Sequence, residues 1–250
     1  MTKAGMWGRF AILLIASAVA LVPVAVVVWR AFEFGPGGVA AIPRGPALAW
    51  FGNSLAVTGA TVVVSLVVAA PAAYVLSRGR SRLVDGYSLV VFALQSFPVF
   101  LAVVPLFVLF ARAGLVDSLP GLTLVYIGTT VATVVFMLTT AIDAIPRSLE
   151  EAAWMDGCSV AGAFVRIVLR NCLPGLASAG VFAFLLAWNE YLVALIFLRS
   201  TSNYTLGIGL SAAGGSPALA VLMMLPPIAV FLIFRRHFSV GGVAGALAGT

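Results

Sequence analysis

Apolar runs of helical length alternate with short polar connections along the chain. Six of these runs contain about 20 residues or more, which is enough for a helix to cross ~30 Å of hydrocarbon. Their predicted bounds are Phe10–Trp29, Asn53–Leu76, Tyr87–Phe110, Gly121–Ile142, Leu173–Leu198 and Ser216–Phe234. The pattern therefore predicts an all-α integral membrane protein, with six transmembrane helices forming a single domain over residues 1–250.

The composition excludes a water-soluble fold. Hydrophobic residues make up 62% of the chain and charged residues only 9%, whereas soluble domains carry about 25% charged residues. Such a chain has too few polar side chains to cover a soluble core. The first apolar run is also longer than the core of a cleaved signal peptide, so it is interpreted as an uncleaved first span.

The basic residues predict the orientation of the spans. With the N-terminus inside, ten of the 14 Lys and Arg residues fall on inner segments, as the positive-inside rule requires. Both termini are therefore predicted to be cytoplasmic, and the net charge of +6 needs no nucleic-acid partner to explain it. The inner segments hold Lys3, Arg9, Arg78, Arg80, Arg82, Arg147, Arg166, Arg170, Arg235 and Arg236, and the outer segments hold Arg30, Arg44, Arg112 and Arg199.

Two smaller predictions follow from charged and metal-ligating residues. The inner cluster of Arg78, Arg80 and Arg82 is expected to lie at lipid headgroups. The two cysteines, Cys158 and Cys172, lack the spacing of metal ligands, and the single histidine is remote from them in sequence. No metal site is therefore predicted.

A polar island separates the fourth and fifth apolar runs. Ser148 followed by Glu151 has the spacing of a capping box, which predicts the start of a short helix. Glu150 and Glu151 would occupy its first turn, where acidic side chains suit the helix dipole. Asp156 and Gly157 form a turn signal that would end this helix.

A second helix is predicted to follow within the island. Ser159 can cap it, and it would run from Val160 to about Asn171. Its expected apolar stripe consists of Val160, Phe164, Ile167 and Val168. The resulting hairpin, at residues 147–172, is either an amphipathic surface element or a docking element that seats in a soluble partner.

The island resembles the EAA signature of the membrane subunits of binding-protein-dependent ABC importers. That signature has Glu-Ala-Ala, then a glycine, then Ile-x-Leu-Pro. The matching residues are Glu151, Ala152, Ala153, Gly157, Ile167 and Leu169, while Arg170 stands where the family has proline. The stretches "NSLAVTGATVVVSLVVAAPAAYVLSR", "AWNEYLVALIFL" and "YTLGIGL" are similar to sugar-import permeases related to the smaller permease of the maltose transporter.

The resemblance implies a permease subunit in a prokaryotic cell membrane that forms half of a translocation pathway. Its implied partners are a second permease subunit, giving a heterodimer, a cytoplasmic ABC ATPase dimer, an extracytoplasmic solute-binding protein and membrane lipid. ATP and magnesium would be used by the ATPase, because this chain has no Gly-x-x-x-x-Gly-Lys-Ser/Thr loop and no cofactor or catalytic role is expected for it. The implied ATPase-coupling residues are Ser148, Glu150, Glu151, Ala152, Ala153, Asp156 and Gly157.

Glu190 is the acidic residue placed deepest within a predicted span. Such residues usually face a bundle interior or a water-filled cavity. With Trp188, Asn189 and Tyr191 it could line a sugar path, because sugars need hydrogen bonds and aromatic faces. The alternative is a polar contact within the bundle or between subunits.

Other functions stay open at this stage. An ABC importer for glycerophosphate, polyamine or phosphonate would carry the same signature. A stand-alone secondary transporter would favour several deep ionisable residues and an inverted repeat, whereas this chain has one such residue and no visible repeat. An intramembrane zinc protease would need His-Glu-x-x-His, but the chain has one histidine.

Overall fold

A computed structural model of the protein describes residues 3–33, 45–96 and 98–241. Within these ranges all regular elements are helical and no strand occurs. Residues 1–2, 34–44, 97 and 242–250 lie outside the described residues. The helices are α1 Lys3–Glu33, α2 Ala47–Arg78, α3 Arg82–Ser96, α4 Val99–Arg112, α5 Leu119–Asp143, α6 Ser148–Met155, α7 Val160–Asn171, α8 Leu173–Trp188, α9 Leu192–Phe197, α10 Leu206–Ala212 and α11 Pro217–Gly241.

The predicted all-α class is confirmed, with apolar helices of membrane-spanning length. Four segments of the described chain are long and apolar enough to cross a bilayer by themselves, in α1, α2, α5 and α11. Two bent pairs, α3 with α4 and α7 with α8, raise the number to as many as six if each pair counts as one span.

The predicted third span, Tyr87–Phe110, is wrong as a continuous helix. α3 ends at Ser96, and α4 begins at Val99 after Pro98, whose backbone is extended. Proline has no backbone N–H and clashes with the preceding turn, so a helix cannot easily continue through it. The chain therefore bends at this point instead of crossing as one rod.

The predicted fifth span, Leu173–Leu198, is also wrong as a continuous helix. α8 ends at Trp188 with Asn189 as its C-cap, and the short helix α9 starts at Leu192. At its other end, α8 joins α7 at an angle of 74°. Pro174 occupies the first turn of α8, where its missing N–H costs no intrahelical hydrogen bond.

The core lies between α2 and α5, which pack together along their length. α2 turns a face of small residues toward this interface, and small side chains let two membrane helices approach closely. α8 packs against both helices and completes the core. The buried small residues of α2 include Ser54, Thr58, Thr61, Ser65, Ala69 and Ala73.

The chain direction gives this bundle two distinct ends. α2 ends at Arg78, beside the end of α5, so the two helices run parallel. α6 lies at this end, which we call the Arg78 end. The opposite end, the Asp117 end, contains the start of α5 and the connection between α9 and α10.

Candidate functional site

The short helix α6 starts differently from the prediction. The chain is already helical at Arg147, and the N–H groups of Glu150 and Glu151 bond to the Arg147 carbonyl at 2.9 and 3.0 Å. Arg147 is thus the N-cap position, Ser148 is the first residue within the helix, and no side chain caps it. The predicted capping box of Ser148 and Glu151 is wrong, because the Pro146–Arg147 turn supplies the backbone acceptors instead.

The predicted stop at Gly157 is confirmed. Gly157 has φ +81°, a left-handed conformation that L side chains rarely adopt. Its N–H bonds to Trp154 O at 3.0 Å, and the N–H of Cys158 bonds to Ala153 O at 2.9 Å. This pair of bonds is the Schellman motif, which closes a helix and reverses the chain.

The second helix of the hairpin is confirmed, with one change. Ser159 caps α7, because its hydroxyl accepts from Gly162 N at 3.1 Å. Residues Phe164–Val168 form a π-helical segment inside it. In the predicted apolar stripe Val168 is buried, but Val160 is exposed, because the packed face of the helix begins at Ala163.

α6 has one buried face and one exposed face. Glu150 lies on the buried face, with a side chain only 2% exposed. The opposite face carries Glu151, Ala152 and Met155, of which Met155 is 89% exposed. Of the remaining predicted coupling residues, Ser148, Asp156 and Gly157 are exposed and Ala153 is half-buried. The structure therefore separates Glu150 from the residues with which it was grouped.

The carboxylate of Glu150 is held by two residues from the last turns of α2. Arg78 Nε donates to Glu150 Oε1 at 2.7 Å, and Tyr74 Oη donates to Oε2 at 2.7 Å. A buried carboxylate is costly unless it is paired and hydrogen-bonded, and both conditions are met here. The predicted lipid-headgroup position of Arg78 is wrong, since its side chain is only 13% exposed and points into this pair.

Arg78 also closes the end of α5. Its Nη2 atom donates to Ile142 O at 3.1 Å and to Ile145 O at 2.9 Å. The last carbonyls of a helix have no partner within the helix, and an arginine is well suited to satisfy them. Sequence reasoning missed Arg78 and Tyr74 as parts of the site, although their separation of four residues places them on one face of α2.

The four predicted path residues lie where α8 breaks. Trp188 is buried, stacks on Phe184 and donates its indole N–H to Met223 O at 3.1 Å. Both carboxylate oxygens of Glu190 lie 3.1 Å from Val193 N, so Glu190 acts as a cap for α9. Tyr191 is half-buried, whereas Asn189 is exposed on the outer face of the bundle.

A surface groove follows the exposed face of α8. It has a volume of about 460 Å³ and is lined by Phe182, Leu185, Leu186, Asn189 and Glu190. The Asn189 amide group donates to Leu185 O of its own helix at 2.8 Å. The groove thus combines apolar walls with polar groups at one end.

The Asp117 end is tied together by a second polar cluster. The carboxylate of Asp117 accepts hydrogen bonds from Arg199 N and Ser200 N, both at 2.9 Å, and from the Ser200 hydroxyl. Burial by itself would raise the pKa of Asp117, but hydrogen bonds from Ser200, from Arg199 N–H and from Asn203 outweigh it and lower this pKa to about 2. The connection between α9 and α10 is therefore fixed to the start of α5.

No cluster of three or more His, Cys, Asp or Glu residues that could hold a metal occurs in the described ranges. Within the Glu150 cluster, and likewise within the Asp117 cluster, the polar side chains form hydrogen bonds with one another or with the backbone. The arrangement is suited to joining helices and presenting surfaces.

The fold defines a multi-pass membrane protein with the architecture of an ABC-importer permease. A solved bacterial ABC transporter involved in the import of the acidic polysaccharide alginate has a chain that superimposes with a TM-score of 0.78. The superposition covers 95% of this chain and 99% of that chain at 18% identity, so it shows the fold.

Sequence comparison identifies the family. The model of the binding-protein-dependent transport system inner membrane component matches residues 62–241, and the chain belongs to that family. It is 34% identical over 212 residues to the inner membrane ABC transporter permease protein YcjP of Escherichia coli, covering 82% of this chain and 76% of the relative. It is 32% identical over 210 residues to the trehalose transport system permease protein SugB of Mycobacterium tuberculosis, covering 79% and 76%.

Proposed function

We propose that this chain is one permease subunit of an ATP-driven sugar importer, and that α6 seats in a separate cytoplasmic ATPase. The observation that carries this proposal is the exposed face of α6, where Glu151, Ala152 and Met155 point away from the bundle. α6 contains eight residues, about 12 Å of helix, which suits a groove on a soluble partner. The small side chain of Ala152 permits close approach, and Glu151 offers a charge to a basic group.

The orientation proposed here places the Arg78 end and both termini in the cytoplasm. The exposed Arg80, Arg82, Arg147, Arg166 and Arg170 support it, because all five lie at the Arg78 end or on the hairpin beside it. Arginine in short connections favours the cytoplasmic side. In this orientation the Asp117 end faces the solute-binding protein, and the bent pairs complete six spans.

A second permease subunit would cover the groove on α8. Phe182, Leu185 and Leu186 provide an apolar surface for that contact, and Asn189 adds a hydrogen-bonding group partway across the bilayer. The pathway would then lie between the two subunits, and Asn189 is the predicted path residue that can reach it. Trp188 and Glu190 stabilise the break between α8 and α9, since the Trp188 indole N–H donates to Met223 O and the Glu190 carboxylate accepts from Val193 N.

Sugar as the solute is supported by the relatives. The trehalose transport system permease protein SugB is 32% identical to this chain. The superimposed transporter is involved in the import of the polysaccharide alginate. The test is binding-protein-dependent uptake into proteoliposomes containing the complete transporter. Uptake of a disaccharide such as trehalose is expected, and transport of glycerol 3-phosphate or putrescine in its place would contradict the sugar assignment.

ATPase docking is tested by co-purification. The variant Glu151→Lys reverses a charge on the exposed face of α6 and is expected to reduce retention of the co-expressed ATPase at least tenfold, with normal membrane insertion. Asp85→Lys is the matched control, because Asp85 is also exposed at the Arg78 end but lies on α3. Equal retention of the ATPase by both variants would contradict docking through α6.

A further inference from the structure

α6 is too short to hold its own shape and position. It has eight residues, whereas isolated helices shorter than about 12–15 residues are marginal in water. Turns flank it at both ends, at Pro146–Arg147 and at Asp156–Gly157. A force applied to its exposed face would therefore be absorbed by these turns unless something else fixes the helix to the bundle.

Arg78 connects three separate segments at this point. Its Nε atom binds Glu150 on α6 at 2.7 Å, and its Nη2 atom binds Ile142 O at the end of α5 and Ile145 O in the following turn. A guanidinium group is planar and always charged, so it fixes the directions of its partners as well as their distances. The last turn of α2 is thereby bound to both sides of the connection between α5 and α6.

Neighbouring groups reinforce the same attachment. Tyr74 donates to the second oxygen of Glu150, and its ring lies 4.9 Å from that of Phe164 on α7. Arg147 Nη2 donates to Ser77 O at 2.9 Å, and the Ser77 hydroxyl donates to Asp143. Both helices of the hairpin are thus held by residues 74–78 of α2.

We infer that Arg78 and Glu150 are positioning residues that lock α6 onto the end of α2 as one rigid body. A displacement of α6 would then move α2, and through their shared interface α5, instead of bending the hairpin. This inference rests on the proposed function only in taking the ATPase as the partner that displaces α6. The attachment itself is a property of this chain and can be measured without any partner.

The attachment can be measured as a distance distribution by pulsed electron paramagnetic resonance. Spin labels are placed at Val63→Cys on α2 and Met155→Cys on α6, since these positions are 60% and 89% exposed. The full-length chain is studied in lipid nanodiscs, with Cys158→Ser and Cys172→Ala to remove competing thiols. Val63 lies 15 residues before Arg78, about 22 Å along the helix, so the pair falls within the measurable range.

The unaltered pair is expected to give one narrow distribution. Arg78→Met is expected to broaden it at least twofold, whereas Arg80→Met, at an exposed arginine two residues away, should leave the width unchanged. Glu150→Gln retains an acceptor for Arg78 and is expected to keep the distribution narrow. This rescue by a similar side chain distinguishes positioning from a general loss of packing.

A double variant separates loss of the attachment from loss of folding. Arg78→Met leaves the Glu150 carboxylate buried without its partner, but Arg78→Met combined with Glu150→Met removes both charges and is better tolerated. We expect this double variant to melt within a few degrees of the wild type and still to show the broad distribution. A double variant with the wild-type width would overturn the inference. Failure of an ATPase to co-purify with the wild-type chain would refute the proposed function instead, and would not alter the width comparison.

Discussion

Asp117 and Ser200 are joined twice, because both the backbone N–H and the hydroxyl of Ser200 donate to the Asp117 carboxylate. The two residues lie 83 positions apart in the sequence. Asp117 also has φ +56°, which aspartate and asparagine tolerate better than most residues. This contact fixes the connection after α9 to the start of α5 at the Asp117 end.

The contact predicts a pH dependence of stability. The pKa of Asp117 is lowered from 3.8 to about 2 in the folded chain, so its contribution is present above pH 3.8 and is lost as the pH falls toward 2. Asp117→Asn keeps the backbone preference but removes the charge. Thermal unfolding in detergent should show a lower melting temperature for the variant at pH 6, with the difference shrinking below pH 4. A constant difference across this range would contradict the prediction.

Removing the buried carboxylate of Glu150 is expected to destabilise the chain strongly. Glu150→Ala leaves Arg78 buried without its anion, a change that costs about 3–5 kcal/mol for buried pairs. Glu151→Ala, at the exposed neighbouring glutamate, should stay within about 0.5 kcal/mol of the wild type. Unfolding by denaturant in mixed micelles measures both free energies, and equal values would contradict the two-faced arrangement of α6.

Replacing Gly157 is expected to disturb the end of α6. Any L side chain at φ +81° is strained, and Gly157→Ala should cost about 1–2 kcal/mol. No atom lies within 4 Å of the added methyl group, so the cost arises from the backbone alone. Gly157→Asn should cost less, because asparagine adopts this conformation more readily. The melting temperature is expected to fall from the wild type to Gly157→Asn and to be lowest for Gly157→Ala. A lower melting temperature for Gly157→Asn than for Gly157→Ala would contradict this reasoning.

Gly209 tests the packing of α10 on α2. A methyl group there would overlap the ring of Trp50, whose indole N–H is already fixed to Thr201 O at 2.8 Å. Gly209→Ala is therefore expected to destabilise by about 1–3 kcal/mol through overpacking. At Gly207, two residues away, the added methyl would meet its nearest atom at an ordinary 3.6 Å. A smaller loss of melting temperature for Gly207→Ala than for Gly209→Ala is the expected result.

The apolar pattern predicted the long helices well, because lipid imposes length and composition on any helix that crosses it. α5 begins and ends within two residues of the prediction, and α2 extends the predicted span at both ends. The breaks at Pro98 and Asn189 were missed, since apolar runs continue across them. Hydrophobicity alone does not distinguish a straight span from a bent one.

The hairpin was predicted in outline, but its faces were not. Ser159 and Gly157 act locally, so their roles could be read from the sequence. The burial of Glu150 depends on Arg78, which lies 72 positions earlier. Helical periodicity does place Glu150 between Ala153 and Trp154 on one face of α6, but only the packed structure shows that this face meets α2.

Site-directed cross-linking tests most directly whether α6 docks into the ATPase. A cysteine is introduced as Ala152→Cys on the exposed face of α6, in a background without Cys158 and Cys172, and the complete transporter is treated with a short bifunctional thiol reagent. Ala161→Cys on α7, which is also exposed, serves as the control. We predict that Ala152→Cys links efficiently to the ATPase subunit and that the link changes in yield when ATP is added. Cross-linking from Ala161→Cys alone, or from neither position in a transporter that is active, would contradict the proposed role of α6.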